Sequence, residues 1–188
     1  SSARSAAIFS SIMHLFDDLR GEGCSLLLQN KIKNDCKKGN FTVKDNLHLT
    51  MHFLGEIEQE DLDGIADAMS LTASLNRKFE LNFEKTGYFD RGEKCIIWLG
   101  IQKSKELVRL YEILEKNLVK QGFRREKTAF TPHVTLAREA VLFYNKSLIL
   151  SKFKPEFDGM IVKEISLMES KRVNGRLIYK KLYGAKLL

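Results

Sequence analysis

One pattern constrains this chain more than any other, because it occurs twice. His48-Leu49-Thr50 and His133-Val134-Thr135 each lie inside a strand-like run, and their flanks (46–55 and 130–138) match as well. Side chains of an extended chain alternate between faces, so the His and Thr of each copy share one face. Leu49, Met51 and Phe53, and in the second copy Val134 and Leu136, share the other face and read as core. With four His and seven Thr in 188 residues, random order would give roughly 0.15 such tripeptides, so two with matching flanks point to design. Two His–Thr pairs facing one groove would set an imidazole on each side of a phosphate, as acid–base phosphoester chemistry requires.

The order of elements repeats around these strands. An apolar, β-leaning run covers 7–15. A helix is expected from Asp17-Asp18 to a stop at Lys38-Gly39, then a short strand 41–43, a turn 44–46 and the first motif strand 47–55. Residues 58–75 read as a helix with Leu62, Ile65, Ala66, Met69 and Ala73 on one face. Strands follow at 79–83 and 95–101, connected through Asp90-Arg91-Gly92. The second half has its strongest helix at 103–120, stopped by Gln121-Gly122, and its motif strand at 131–137. A helical or irregular stretch is expected over 139–153, then strands 159–169 and 177–183 joined by Val173-Asn174-Gly175, a hairpin signal. The motifs lie 85 residues apart, close to half the chain. A duplication of this kind packs most simply as two lobes about a pseudo-two-fold axis, with both motif strands on a shared cleft. The expectation is one bilobal domain over 1–188.

Composition narrows the chemistry. No apolar run approaches a membrane span and no signal peptide is evident. Cys24, Cys36 and Cys95 have neither paired nor metal spacing, so free thiols in a reducing, cytoplasmic setting are expected and a zinc site has no support. The net charge of +7 is concentrated in Arg124-Arg125-Glu126-Lys127 and in a C-terminal segment with no acidic residue after Glu169. Basic clusters beside a phosphate site suit a polyanionic partner.

Asn46-Leu47-His48-Leu49-Thr50-Met51-His52-Phe53-Leu54-Gly55-Glu56 and Thr131-Pro132-His133-Val134-Thr135-Leu136-Ala137-Arg138 resemble the paired signatures of the 2H phosphoesterase superfamily, and within it the RNA 2′,3′-cyclic phosphodiesterase (2′-5′ RNA ligase-like) family. Gln29-Asn30-Lys31-Ile32, 39–42 and Ile97-Trp98-Leu99-Gly100 extend the likeness. The resemblance implies an α+β bilobal fold: two pseudo-symmetric lobes of antiparallel sheet, outer helices and a central cleft, without metal or cofactor. It implies hydrolysis of RNA 2′,3′-cyclic phosphate ends, tRNA fragments among them, to 2′-phosphomonoesters by a monomeric enzyme, reversible as 2′-5′ ligation. It assigns His48 as proton donor and His133 as proton acceptor, with Thr50, Thr135 and Arg138 on the phosphate oxygens. Strict alternation puts Arg138 on the face of Val134 and Leu136, so a bulge beyond Leu136 is required to bring it round.

Two other readings share the cleft: a phosphodiesterase of a small cyclic nucleotide or an ADP-ribose cyclic phosphate, and a nucleotide or RNA-end binding module that does not turn its ligand over. The intact motifs argue for an enzyme and the basic C-terminal hairpin for RNA. Among other residues, His52 shares the motif face but is expected to pack or meet solvent, His14 to be structural, and Trp98 to pack in the core. Phe89 is a candidate for base stacking.

Overall fold

A computed structural model describes the backbone of residues 8–15, 24–155 and 159–188, and within them side chains from Leu28 onward. The order is β1 (Ile8–Leu15), α1 (Cys24–Asn34), β2 (Cys36–Phe41), a 3-10 turn (Lys44–Asn46), β3 (His48–Ile57), α2 (Asp61–Ser74), β4 (Phe79–Leu81), β5 (Phe83–Arg91), β6 (Lys94–Ile101), α3 (Lys105–Lys120), β7 (His133–Leu142), α4 (Lys146–Leu150), β8 (Met160–Val162), β9 (Glu164–Val173) and β10 (Arg176–Lys186). One antiparallel sheet runs β10-β9-β1-β3-β7-β6-β5, with β2 against the far part of β7, and β4 and β8 form a separate pair. This is the expected α+β architecture, with the two lobes sharing a sheet instead of holding one each.

The two motif strands are central neighbours and touch at one rung, Leu49 opposite Val134. Past that rung β3 follows β1, and β7 is flanked by β6 and β2. The halves correspond residue by residue: Leu15 faces His48 as Gly100 faces His133. Both strands also carry one extra residue at the same place. Met51 has no partner between Thr50 and His52, and Leu136 has none between Thr135 and Ala137.

The core lies behind the motifs. Leu49, Val134, Leu136, Ile97 and Leu99 point away from the groove and are fully buried. Leu107, Leu110, Leu114 and Leu118 of α3, spaced by three and four residues, bury one stripe, each stabilising by about 2 kcal/mol. Ser104 caps that helix, its hydroxyl accepting from the Leu107 N–H at 3.1 Å. α2 contributes Ile65 and Met69 and packs on α3 and β10.

Several boundaries differ from the sequence expectation. Asp17 to Gly23 lies outside the described residues, and α1 ends at Asn34, because Cys36 to Phe41 pairs with β7 as a strand. Long-range pairing overrides the local helix signal there. The alternating run 79–83 is two strands: β4 pairs with β8 and β5 with β6, and between them Asn82 accepts the Gln102 N–H at 2.8 Å. The run 159–169 breaks in the same way at Lys163, whose carbonyl accepts from Leu187 at 2.9 Å. β7 continues to Leu142, so only Lys146–Leu150 of the stretch 139–153 is helical. The Asn174-Gly175 turn forms as read, with φ of 50° and 77°.

Candidate active site

Each motif histidine is fixed by its own backbone. His48 Nδ1 lies 2.7 Å from the Asn46 carbonyl, and His133 Nδ1 lies 2.7 Å from the Thr131 carbonyl. A carbonyl only accepts, so Nδ1 carries the proton in both rings. Nε2 is then the working nitrogen, an acceptor when the ring is neutral and a donor when it is charged. An aromatic ring packs edge-on against each: Tyr179 on His48 at 4.9 Å, Phe89 on His133 at 5.1 Å.

The antiparallel rung at Leu49 and Val134 sets His48 across from Thr135 and Thr50 across from His133. All four are half-buried on the face opposite the core. The imidazoles therefore sit at diagonal corners of a small square, with hydroxyls at the other two. Burial pushes the His48 pKa below its ordinary value, and the charges of Arg138 and His133 push it the same way, against the hydrogen bond to Asn46.

The unpaired Leu136 supplies the bulge that Arg138 needs. Leu136 and Ala137 are both buried and Arg138 is exposed on the groove side, where its charge reaches His48 and Tyr179. Buried Gln29 holds this bulge: its side-chain N–H donates to the Leu136 carbonyl at 2.9 Å and the Thr42 carbonyl at 3.0 Å. The Thr42 N–H adds a second donor to Leu136.

The same irregularity in β3 overturns two expectations of strict alternation. Met51 and His52 are both buried, so His52 leaves the motif face. Its Nδ1 meets Glu126 at 3.2 Å, and that carboxylate also accepts the Phe53 N–H at 3.0 Å, tying the basic loop to β3. Phe53, read as core, is 57% exposed. It is the counterpart in the first half of Arg138 in the second.

Trp98 also departs from its expected core position. Alternation along β6 buries Ile97 and Leu99 and turns Trp98 to the groove, opposite Thr135, 5.5 Å from the Phe89 ring and 6.4 Å from His133. The indole lies over Gly87, where an added Cβ would come within 2.3 Å of it. Gln29, Phe53, Trp98 and Tyr179 were not picked out as site residues from sequence. Gln29, Phe53 and Trp98 lay inside segments of family likeness, and Tyr179 carried no signal. The His14 side chain lies outside the described residues. Among the described residues no group of three or more His, Cys, Asp and Glu is placed to hold a metal ion. Cys36 and Cys95 are free thiols.

A bilobal α+β fold with two opposed His-x-Thr strands is the 2H phosphoesterase arrangement. The chain belongs to the 2′-5′ RNA ligase superfamily, whose model matches residues 30–174. It is 34% identical over 140 residues to an RNA 2′,3′-cyclic phosphodiesterase of Archaeoglobus fulgidus, covering 73% of this chain and 78% of that one. A protein of the same name from Aeropyrum pernix is 32% identical over 152 residues, covering 77% and 85%. Its fold is similar to a crystal structure of Escherichia coli LigT complexed with 3′-AMP, with a TM-score of 0.77, 26% identity, and coverage of 97% and 99%.

Proposed function

We propose that this chain is a hydrolase that opens the 2′,3′-cyclic phosphate end of RNA, leaving a 2′-phosphomonoester, with one histidine as acid and the other as base. The observation that carries the reading is the single rung at Leu49 and Val134, which sets the two His–Thr pairs diagonally opposed on one face. Family membership supports it, as do the names of the Archaeoglobus fulgidus and Aeropyrum pernix relatives.

Water must attack phosphorus opposite the departing ribose oxygen, so base and acid must flank it. Neutral His133 takes the proton of the attacking water through Nε2. His48, protonated, gives its proton through Nε2 to the 3′ oxygen as the P–O bond breaks, which leaves the phosphate on the 2′ oxygen. Thr50, Thr135 and Arg138 bind the non-bridging oxygens and hold the charge that builds on them. The lowered His48 pKa makes its imidazolium a strong acid. The bound phosphate anion, by offsetting the neighbouring cations, repopulates that protonated form. The reverse direction, with an RNA 5′-hydroxyl as nucleophile, is ligation through the same groups. In this reading the chain works without metal, as a single-domain monomer in the cytoplasm.

The test is incubation with an oligoribonucleotide ending in a 2′,3′-cyclic phosphate, with and without EDTA, and mapping of the product end. A 2′-phosphate formed equally in both is expected. His48→Ala and His133→Ala should each lower the rate roughly 10²–10⁴-fold. Loss with EDTA and recovery with a divalent ion would overturn the two-histidine mechanism, and a variant within a few-fold of the parent would remove that histidine from it.

A further inference from the structure

The β9–β10 hairpin extends past the sheet that supports it. Among the described residues, pairing of β9 with β1 ends at Ser10 opposite Glu169, whereas β9 and β10 stay paired with each other out to Val173 opposite Arg176. Residues 171–178 of this two-stranded arm are all exposed. The arm is not splayed into solvent. Asn46, in the turn that leads into His48, donates from its Nδ2 to the Leu177 carbonyl at 2.8 Å, and Tyr179 packs on the His48 ring. The arm therefore starts at the acid–base site and runs outward from it.

Register assigns its faces. Tyr179 faces Ser170 and Leu177 faces Arg172, two rungs apart and so on one side, that of the groove. Ile178 faces Lys171 and Arg176 faces Val173 on the outer side, which Lys180 shares. Some of the charges of the hairpin are spent: Lys171 pairs with Glu169 at 2.9 Å and Lys181 pairs with Glu164. Arg172 on the groove side, like Arg176 and Lys180 on the outer side, is in no ion pair among the described residues, and no acidic residue follows Glu169 in the chain. An uncompensated guanidinium thus stands one strand repeat, about 7 Å, beyond the aromatic ring that touches His48.

We infer that the groove side of this arm binds the RNA strand on the 5′ side of the cyclic phosphate, with Arg172 on a phosphodiester of that strand. The inference rests on the proposed function and deepens it. The terminal phosphate is held by the two motifs, and the next backbone phosphate by the arm. Small cyclic nucleotides have no such second phosphate, so Arg172 separates polymer from monomer without reading base sequence. The catalytic groups treat both substrates alike.

The experiment compares the parent, Arg172→Gln and the outer-face variant Arg176→Gln/Lys180→Gln. Substrates are an oligoribonucleotide with a 2′,3′-cyclic phosphate end and a 2′,3′-cyclic mononucleotide. A fluorescent oligoribonucleotide with a 2′-phosphate end is titrated by anisotropy at several salt concentrations. For Arg172→Gln, kcat/KM on the oligomer should fall roughly three- to tenfold through KM, with the mononucleotide unchanged. The slope of log affinity against log salt should become shallower by about 0.7. The outer-face variant should lose less than Arg172→Gln although it removes two charges. Equal loss on both substrates, no loss on the oligomer, or a greater loss from the outer face would overturn the assignment of Arg172. If the parent hydrolyses neither substrate, the proposed function fails, and the anisotropy titration still decides whether the arm binds RNA.

Discussion

At the level of single residues, the site is built from side chains whose protons are assigned by their partners. Because His48 Nδ1 is occupied by the Asn46 carbonyl, all of its acid–base work falls on Nε2. Its pKa in the free protein is below the ordinary 6.5, through burial first and then the Arg138 and His133 charges. In the proposed mechanism His48 is the acid and must be protonated, so kcat/KM, which reports the free enzyme, should fall as pH rises through this lowered value. The matching limb of kcat should lie at higher pH, since bound phosphate favours the imidazolium; a pH series of both constants checks the order. Arg138→Gln removes one of the repelling cations, so the kcat/KM limb should move upward in pH while the rate drops roughly 10²-fold if the guanidinium binds phosphate as proposed. A limb that stays in place would show that the guanidinium does not act on His48. The two histidines and two threonines were readable in the sequence because alternation over three residues needs no knowledge of neighbouring strands. Phe53, His52 and Trp98 were misplaced or undervalued for the complementary reason. One extra residue in β3 inverts the faces after Met51, and it is visible only against β1.

Among the elements, the bulges act as switches of direction, and their supports are testable. Gln29→Leu takes a donor from the Leu136 and Thr42 carbonyls, which should cost about 1–3 kcal/mol in urea unfolding. It should also reduce kcat/KM by loosening Arg138; a stability loss with unchanged activity would confine Gln29 to the fold. Gly87 plays a comparable part in β5, where its missing side chain makes room for the Trp98 indole. Gly87→Ala should push that ring toward Phe89 and His133, lowering activity with a destabilisation of about 1–3 kcal/mol. Activity and melting temperature measured together would show it, and an unchanged rate would mean that the indole moves away from the histidine. Helices α2 and α3 were legible from periodicity. The changes of partner at Asn82 and Lys163 were not, since alternation runs straight through both and only the identity of the paired strand changes.

For the whole molecule, the duplicated order of elements pointed to two lobes, and in the structure each takes its hairpin from the other half of the chain, β5–β6 beside β7 and β9–β10 beside β1. Their union in one sheet rests on a single pair of buried apolar residues, Leu49 and Val134. Leu49→Ala opens a void at that junction and should cost about 2–5 kcal/mol. It should lower activity further than stability alone explains, because both histidines are positioned from the same rung; activity under conditions where the variant is fully folded makes that comparison. A near two-fold site also raises the question of which histidine serves as acid. A substrate rotated by half a turn about the axis would exchange the roles of His48 and His133 and break the same bond. With identical halves the two poses would be equally populated, and each histidine would serve as acid in half of the turnovers. The sequence breaks this degeneracy at two matched places: Phe53 stands where the other half has Arg138, and Tyr179 rests on one imidazole where Phe89 rests on the other. The assignment of acid and base in such a site is therefore a property of the differences between its halves, and exchanging residues across the axis is the direct way to swap the two roles.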